Sequence, residues 1–209
     1  MHTAIPIGAA GEGGTCGGNL TAKHIRSGPR EANLSTRVTS QDIVTGIDGR
    51  QYISDQATIW RWREAFQNDF AARMDWTVAD YRHANHHPVV EVNGQAGTAP
   101  VLIDAVVDQP VVLDASRSKD PDGQSLHYSW FHYAEAGGTG TNLSGVVIAG
   151  GDAAKAIVTP TTVCRPQWLP VAAPCTGTGT AHIILAVSDD GSPRLTSYRR
   201  VILNVRRTR

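Results

Sequence analysis

The sequence has no long hydrophobic run and no excess of charge of either sign. None of its apolar runs approaches the roughly 18 residues that a membrane-spanning helix needs, so we expect no membrane partner. The 209 residues carry 19 basic and 19 acidic side chains. This balance gives no electrostatic reason to expect a nucleic-acid partner. The apolar fraction of 41% is that of an ordinary folded protein.

Cysteine is scarce, with three residues in the chain. Cys164 and Cys175 bracket the loop CRPQWLPVAAPC, and a disulfide between them would contribute about 3 kcal/mol by restricting the unfolded chain. Such a bond would imply an oxidising compartment. Two unpaired cysteines are the alternative, and the sequence leaves both open. Cys16 lies in a glycine-rich stretch and is expected to be unpaired.

The N-terminal part lacks sustained periodicity. Residues 1–40 are therefore predicted to form a poorly structured, glycine-rich lead-in. Their start, MHTAIPIGAAGEGG, has neither a basic region nor a long apolar core, so we predict no signal peptide there.

The stretch TIWRWREAFQNDFAARMDW is the strongest helix signal. Its larger apolar side chains recur at spacings of three and four: Ile59, Trp62, Phe66, Phe70 and Met74. This pattern predicts a long amphipathic helix over about 55–78, with its apolar stripe packed against a domain. A stripe left exposed would instead predict self-association through Ile59, Trp62, Phe66 and Phe70.

The second half of the chain reads as β-structure. Short alternating apolar runs are separated by turn signals such as Asn93-Gly94, Asp122-Gly123 and Asp190-Gly191, which together predict an antiparallel β-sandwich over 86–209. Residues that recur at every second position are predicted to face inward: Tyr128, Trp130, Ile183, Leu185, Val187, Val201, Leu203 and Val205. The predicted fold class is mainly β, with the sandwich preceded by the helical segment at 41–85.

Two motifs within the predicted sandwich carry a family resemblance. The run LDASRSKDPDGQSLHYSW, followed by LAVSDDG, resembles PKD-like, immunoglobulin-fold modules of extracellular bacterial proteins. The matching positions are Asp114, Ser116, Ser118, Asp120, Asp122, Gly123, Tyr128 and Trp130. With IDGRQYISDQATIWRWREAFQNDFAARMDW and ANHHP added, roughly residues 41–209 resemble bacterial cellulose-binding proteins. In that family a nucleoside-hydrolase-like domain precedes a C-terminal sandwich.

The resemblance implies a function and two alternatives. It implies that residues 41–85 end a nucleoside-hydrolase-like domain. It also implies that the chain is a non-catalytic module binding cellulose or a related plant polysaccharide, from a secreted or periplasmic protein. One alternative is the docking half of an N-glycosyl hydrolase, and the other is a structural spacer. The aspartate cluster that holds calcium in nucleoside hydrolases does not occur in residues 1–57. We find no catalytic constellation, and whether the protein is an enzyme stays open.

Aromatic side chains that could stack on sugars are the candidate carbohydrate-binding residues: Trp168, Tyr133, Phe131 and Tyr198. The strand alternation places Phe131 and Tyr133 opposite to Trp130. Their alternative role is to cover a neighbouring domain or its helix. The alternative for Trp168 is to anchor the loop between Cys164 and Cys175.

Calcium is the one cofactor that the sequence raises. Five aspartates could gather at one end of the sandwich and supply the oxygen ligands that this ion prefers: Asp114, Asp120, Asp122, Asp189 and Asp190. The alternative is that they stabilise turns by bonding to nearby backbone N–H groups. His83, His86 and His87 are interpreted as linker histidines on the surface, not as a zinc site.

Overall fold

A computed structural model describes residues 42–45, 50–54, 56–133, 136, 145–164, 173–174 and 177–207. The chain divides into two compact units between Arg63 and Glu64. The predicted lead-in at 1–40 lies outside the described residues. The predicted domain boundary near residue 85 stays a prediction. Among the described residues, no helix is long and apolar enough to cross a membrane.

The first unit contains a β-hairpin and a short helix. Strands β1 (Asp42–Thr45) and β2 (Gln51–Ser54) pair in antiparallel fashion. Helix α1 (Ala57–Arg61) follows and contacts both strands.

The helical segment is short, so the prediction of one long helix over 55–78 is wrong. Helix α1 has 5 residues and helix α2 (Arg63–Asp75) has 13. Between them, the Trp62 N–H donates to the Ile59 carbonyl at 3.3 Å, three residues back. This tighter bond is of the 3₁₀ type and interrupts the regular α-helical pattern.

Helix α2 packs through a different face from the predicted one. Phe66 and Phe70 are 50% and 63% exposed, whereas Ala72 on the other side is 1% exposed. The covered side carries Asp69 and Ala72, and Trp76, just after the helix, continues it at helical spacing. Within the second unit, the apolar stripe that was predicted to be packed is therefore exposed, and the opposite side of the helix is covered.

The second unit is built mainly of two β-sheets. One sheet has the order β5-β13-β12-β7 and the other β6-β9-β8. The first contains β5 (Val101–Val106), β7 (His127–His132), β12 (Gly179–Ser188) and β13 (Thr196–Arg206). The second contains β6 (Val111–Asp114), β8 (Gly145–Ala149) and β9 (Lys155–Thr161). All neighbours are antiparallel except β5 and β13, which are parallel.

Two small hairpins complete the architecture. One joins β3 (Glu91–Val92) to β4 (Gln95–Ala96), and the other joins β10 (Val163–Cys164) to β11 (Ala173–Pro174). Asn93 and Gly94 form the turn of the first hairpin, with φ of 49° and 78°. Two positive φ values are what a tight two-residue hairpin turn requires.

The core lies between the two sheets and confirms the predicted β-sandwich. Trp130 is 4% exposed, and its indole N–H donates to the Ala153 carbonyl at 3.0 Å. Tyr128 is partly buried and packs against this core. The other residues predicted to face inward are buried in it: Ile183, Leu185, Val187, Val201, Leu203 and Val205. The period-two pattern therefore identified the buried face correctly.

Candidate functional site

The outer face of the four-stranded sheet gathers three of the four candidate carbohydrate-binding aromatics. Phe131 on β7 pairs in register with Ile184 on β12, which pairs with Arg200 on β13. Tyr133 follows Phe131 on the same side, and its N–H donates to the His182 carbonyl at 2.7 Å. Tyr198 lies on β13, two residues before Arg200 and on the same side of the strand. We call this surface, defined by Phe131, Tyr133, His182, Ile184, Tyr198 and Arg200, the outer face.

The spacing of the three aromatics follows from sheet geometry. Phe131 and Tyr133 are two residues apart on one strand, which separates them by about 7 Å. Tyr198 is two strands away from Phe131 and one row along, which gives a diagonal of about 12 Å. The outer face therefore presents rings spread over an area longer than one sugar unit.

The aromatics differ in exposure. Tyr198 is 40% exposed, whereas Phe131 and Tyr133 are half-buried. Burial, and then the negative charge of Glu64 in the first turn of α2, raise the pKa of the Tyr198 phenol. The start of α2 thus borders the outer face on the Tyr198 side.

Two polar side chains stand between the rings. The Arg200 Nε donates to His182 Nδ1 at 2.9 Å. Burial and the neighbouring Arg200 charge lower the pKa of His182, so the ring accepts this bond in its neutral form. The outer face therefore combines aromatic surface with a fixed hydrogen-bonding pair.

The fourth candidate aromatic, Trp168, lies outside the described residues. The same holds for Cys175, and the pairing of Cys164 with Cys175 stays a prediction. Of the four candidate aromatics, the described part of the chain places Phe131, Tyr133 and Tyr198 on the outer face.

The five candidate calcium ligands all accept hydrogen bonds from the protein. Asp189 is fully buried, and its Oδ1 accepts from the Gly191 and Leu195 N–H groups at 3.0 and 2.9 Å. Asp120 Oδ1 accepts from the Asp122 and Gln124 N–H groups at 2.8 and 3.1 Å. These bonds are the turn-stabilising pattern that the sequence offered as the alternative to calcium.

The remaining aspartates have separate partners. Asp114 accepts from Ser116 and pairs with Lys155 Nζ at 2.8 Å, and these contacts hold its pKa well below the usual range. Asp122 accepts from the His86 N–H at 2.7 Å, and Asp190 accepts from the Ser125 N–H at 3.1 Å. In the described part of the chain, no three acidic, histidine or cysteine side chains come together as a metal site.

The histidines after α2 have acidic partners that sequence reasoning missed. His87 Nε2 lies 2.8 Å from Asp69 Oδ1 on α2, and His86 Nδ1 lies 3.0 Å from Asp122 Oδ1 in the sandwich. The His86 ring stacks on Trp76 with a centroid distance of 6.1 Å. Each pair is far apart in sequence, so the local spacing of HANHHP gave no sign of it. Together these contacts attach α2 to the sandwich.

A comparison with family models finds one match. Residues 110–205 match the model described as cellulose-binding protein Sde0182, C-terminal domain. The match covers all three aromatics of the outer face. It confirms the resemblance of the sandwich to the C-terminal part of this kind of cellulose-binding protein.

Solved structures give a longer match. A nucleoside hydrolase-related hypothetical protein from Saccharophagus degradans, associated with carbohydrate metabolism, is 36% identical, with a TM-score of 0.60. The match covers 87% of this chain and 39% of that chain, so the chain spans about two fifths of its length. The PKD domain of the KIAA 1837 protein is 23% identical, with a TM-score of 0.34, over 53% of this chain and 84% of that domain. No curated protein matches the chain significantly.

Proposed function

We propose that the chain, whose residues 110–205 match the C-terminal domain of a cellulose-binding protein, is a non-catalytic module that binds cellulose or a related plant polysaccharide. The observation that supports this proposal most strongly is the grouping of Phe131, Tyr133 and Tyr198 on one sheet face. Aromatic rings offer flat apolar surfaces for the faces of sugar rings, and a nearby polar pair can orient hydroxyl groups. Cellulose lies outside the cell, so the proposal includes export of the protein.

The spacing of the aromatic rings suits an extended polymer. Rings separated by about 7 and 12 Å would each meet a different sugar along one chain, since a β-sheet holds its side chains at fixed spacings. Arg200 would supply N–H donors to hydroxyl oxygens, and His182, which is 6% exposed, holds it in place by accepting from its Nε. Several weak contacts along a polymer act together, because the second contact forms at high effective concentration once the first is made.

The direct test is depletion of the purified chain from solution by insoluble cellulose. We expect Tyr198→Ala and Phe131→Ala each to weaken binding by about tenfold, which corresponds to about 1.4 kcal/mol for one lost stacking contact. Tyr81→Ala is the matched control, because Tyr81 is 69% exposed and lies after α2, off the sandwich sheets. Thermal unfolding of each variant checks that the fold is intact.

Trp168→Ala tests the remaining candidate in the same assay. If Trp168→Ala abolishes depletion while Tyr198→Ala and Phe131→Ala leave it unchanged, carbohydrate binding stands and the outer face is not its platform. Absence of depletion on cellulose and on a panel of other plant polysaccharides would overturn the binding function. The spacer role would then be the better account.

A second candidate function is the docking half of an N-glycosyl hydrolase. It is favoured by the similarity to a nucleoside hydrolase-related protein. The match covers 39% of that protein's chain. This candidate also accords with the exposure of Phe66, Phe70 and Met74 on α2. Under this candidate, Phe70→Ser would weaken binding of the chain to a separately purified nucleoside-hydrolase-like domain, and Tyr198→Ala would not.

A further inference from the structure

Arg200 contributes a positive charge to the outer face. It lies on β13 in the row that runs through Ile184 on β12 to Phe131 on β7. Tyr198 is two residues away along the same strand, at a distance of about 7 Å. Arg200 is partly exposed, whereas its neighbour His182 is 6% exposed. A guanidinium is charged at every physiological pH, so this charge is permanent.

One edge of the Arg200 guanidinium holds the side chain in place. Its Nε donates to His182 Nδ1 at 2.9 Å, and its Nη2 lies against the same ring nitrogen. These two nitrogens form one of the edges with which an arginine can bind a carboxylate through two hydrogen bonds. A side chain that is already positioned loses less rotamer freedom when it meets a ligand. His182 therefore prepares Arg200 for binding.

The other edge, formed by Nη1 and Nη2, is accessible. In the described part of the chain, the Arg200 side chain has no hydrogen-bond partner besides His182. Among the same residues, the side-chain nitrogens that are buried without a partner belong to Arg199 and not to Arg200. Because Nη1 has no partner and is not buried, it can be reached from outside. The second edge is therefore able to receive a ligand.

The charge of Arg200 is not neutralised by a neighbouring acid. Among the described residues, no carboxylate forms an ion pair with it. Glu64 acts on Tyr198, and Asp104 on β5 lies in register with a later residue of β13. The His182 ring is neutral, so it accepts a hydrogen bond without supplying negative charge. The counter-charge that suits this side chain is thus left for a ligand to supply.

We propose that the polysaccharide bound by the outer face is an acidic one, whose uronic acid carboxylates are bound by the Nη1–Nη2 edge of Arg200. A planar guanidinium and a carboxylate fit each other through two charge-assisted N–H···O bonds, and a neutral sugar offers no such pair of charged acceptors. The aromatic rings stack on the sugars, and Arg200 selects the charged ones. This inference rests on the proposed function and narrows its ligand class to plant polysaccharides that carry carboxylates.

Matched polysaccharides test the inference on the unaltered protein. Glucuronoxylan and polygalacturonate are each used before and after chemical reduction of their uronic acids to neutral sugars, and affinities are measured by titration calorimetry. We expect the native chain to bind at least one acidic form about tenfold or more tightly than its reduced form. Added salt should shrink this preference, because it screens a surface charge pair.

The outcomes separate this inference from the proposed function. Equal affinity for the acidic and reduced forms of both polymers would overturn the inference and leave carbohydrate binding in place. The same holds if the chain binds neither polymer but is depleted by insoluble cellulose. Absence of binding to all of these polysaccharides would overturn both.

Substitutions separate the Arg200 edge from general charge attraction. Arg200→Gln should remove the preference, so that acidic and reduced forms bind alike. Arg200→Lys, which keeps the charge but not the two-nitrogen edge, should restore only part of it. Arg206→Gln is the matched control, because it removes an exposed arginine on the same side of β13, and it should keep the preference. An equal loss of preference in Arg206→Gln and Arg200→Gln would indicate nonspecific attraction and overturn the assignment.

Discussion

His132 shows how one buried side chain links the fold to pH. It lies on the inward side of β7, and burial, with a smaller contribution from His182, lowers its pKa to about 4. The unfolded chain, with a histidine pKa near 6.5, therefore binds a proton more readily than the folded chain does. The contribution of His132 to the free energy of unfolding is therefore fully present above pH 6.5, and it is lost as the pH drops from about 6.5 to 4.

We predict that this loss amounts to about 3 kcal/mol by pH 4, since each unit of pKa difference corresponds to about 1.4 kcal/mol. The free energy of unfolding, measured by urea titration at several pH values, checks it. His132→Gln should flatten the slope between pH 6.5 and 4 relative to the native chain. A variant with the native slope would show that other groups cause the pH dependence.

Asp189 and Asp190 are neighbours with different structural roles. Asp189 is fully buried and accepts two backbone N–H groups, whereas Asp190 is exposed and accepts one. We predict that Asp189→Ala lowers the free energy of unfolding by about 2–5 kcal/mol, because it leaves buried N–H donors without partners. Asp190→Ala should cost about 1 kcal/mol or less. Equal losses in chemical denaturation would contradict this assignment.

The same scale shows what the sequence could and could not reveal. The parity of Val201, Leu203 and Val205 predicted the buried face of β13. The same alternation, extended two residues back from Val201, predicts that Arg199 also faces inward. This signal was present in the sequence, but it was overlooked because arginines are mostly exposed. The pairs His87–Asp69 and His86–Asp122 could not be predicted, because they depend on how distant segments fold together.

At the scale of elements, local rules predicted the strands better than the helix. Alternation and turn residues identified the sandwich strands, since a strand with one buried face must follow a period of two. The outer face required more: Phe131 and Tyr198 lie on one surface only because β12 lies between β7 and β13, an order that no local pattern encodes. The prediction of one long helix failed at Trp62. There a hydrogen bond from the Trp62 N–H to the carbonyl three residues back interrupts the α-helix, although the apolar spacing continues through this point.

The β3–β4 hairpin gives a prediction at this scale. Gly94 sits at φ 78° in its two-residue turn, and an added Cβ would meet no atom within 4 Å. Gly94→Ala should therefore cost about 1 kcal/mol from backbone strain alone, without a steric clash. Denaturant unfolding measures this loss. Gln95→Ala, at an exposed neighbouring position, should be neutral, and an equal loss there would exclude the turn conformation as the cause.

At the scale of the whole molecule, the main feature is the exposed apolar side of α2, formed by Phe66, Phe70 and Met74. Helix α2 contacts the sandwich through the side that carries Asp69, Ala72 and the following Trp76, which leaves Phe66, Phe70 and Met74 exposed. The chain spans about two fifths of the nucleoside hydrolase-related structure it resembles. Exposed aromatic side chains on a helix are a common means of association between protein surfaces.

Self-association is the expected consequence in the isolated chain. Phe66, Phe70 and Met74 are 50%, 63% and 48% exposed on one side of α2, so burying them between two copies removes apolar surface from water. We predict a dimer that forms as concentration rises, measured by sedimentation equilibrium. Phe66→Ser with Phe70→Ser should restore a monomer and change the free energy of unfolding by about 0.5 kcal/mol or less. Val147→Ser, at a 59% exposed position on β8, should leave the dimer intact. A native chain that stays monomeric at every concentration would refute the prediction, because the stripe would then have no affinity for its own copy.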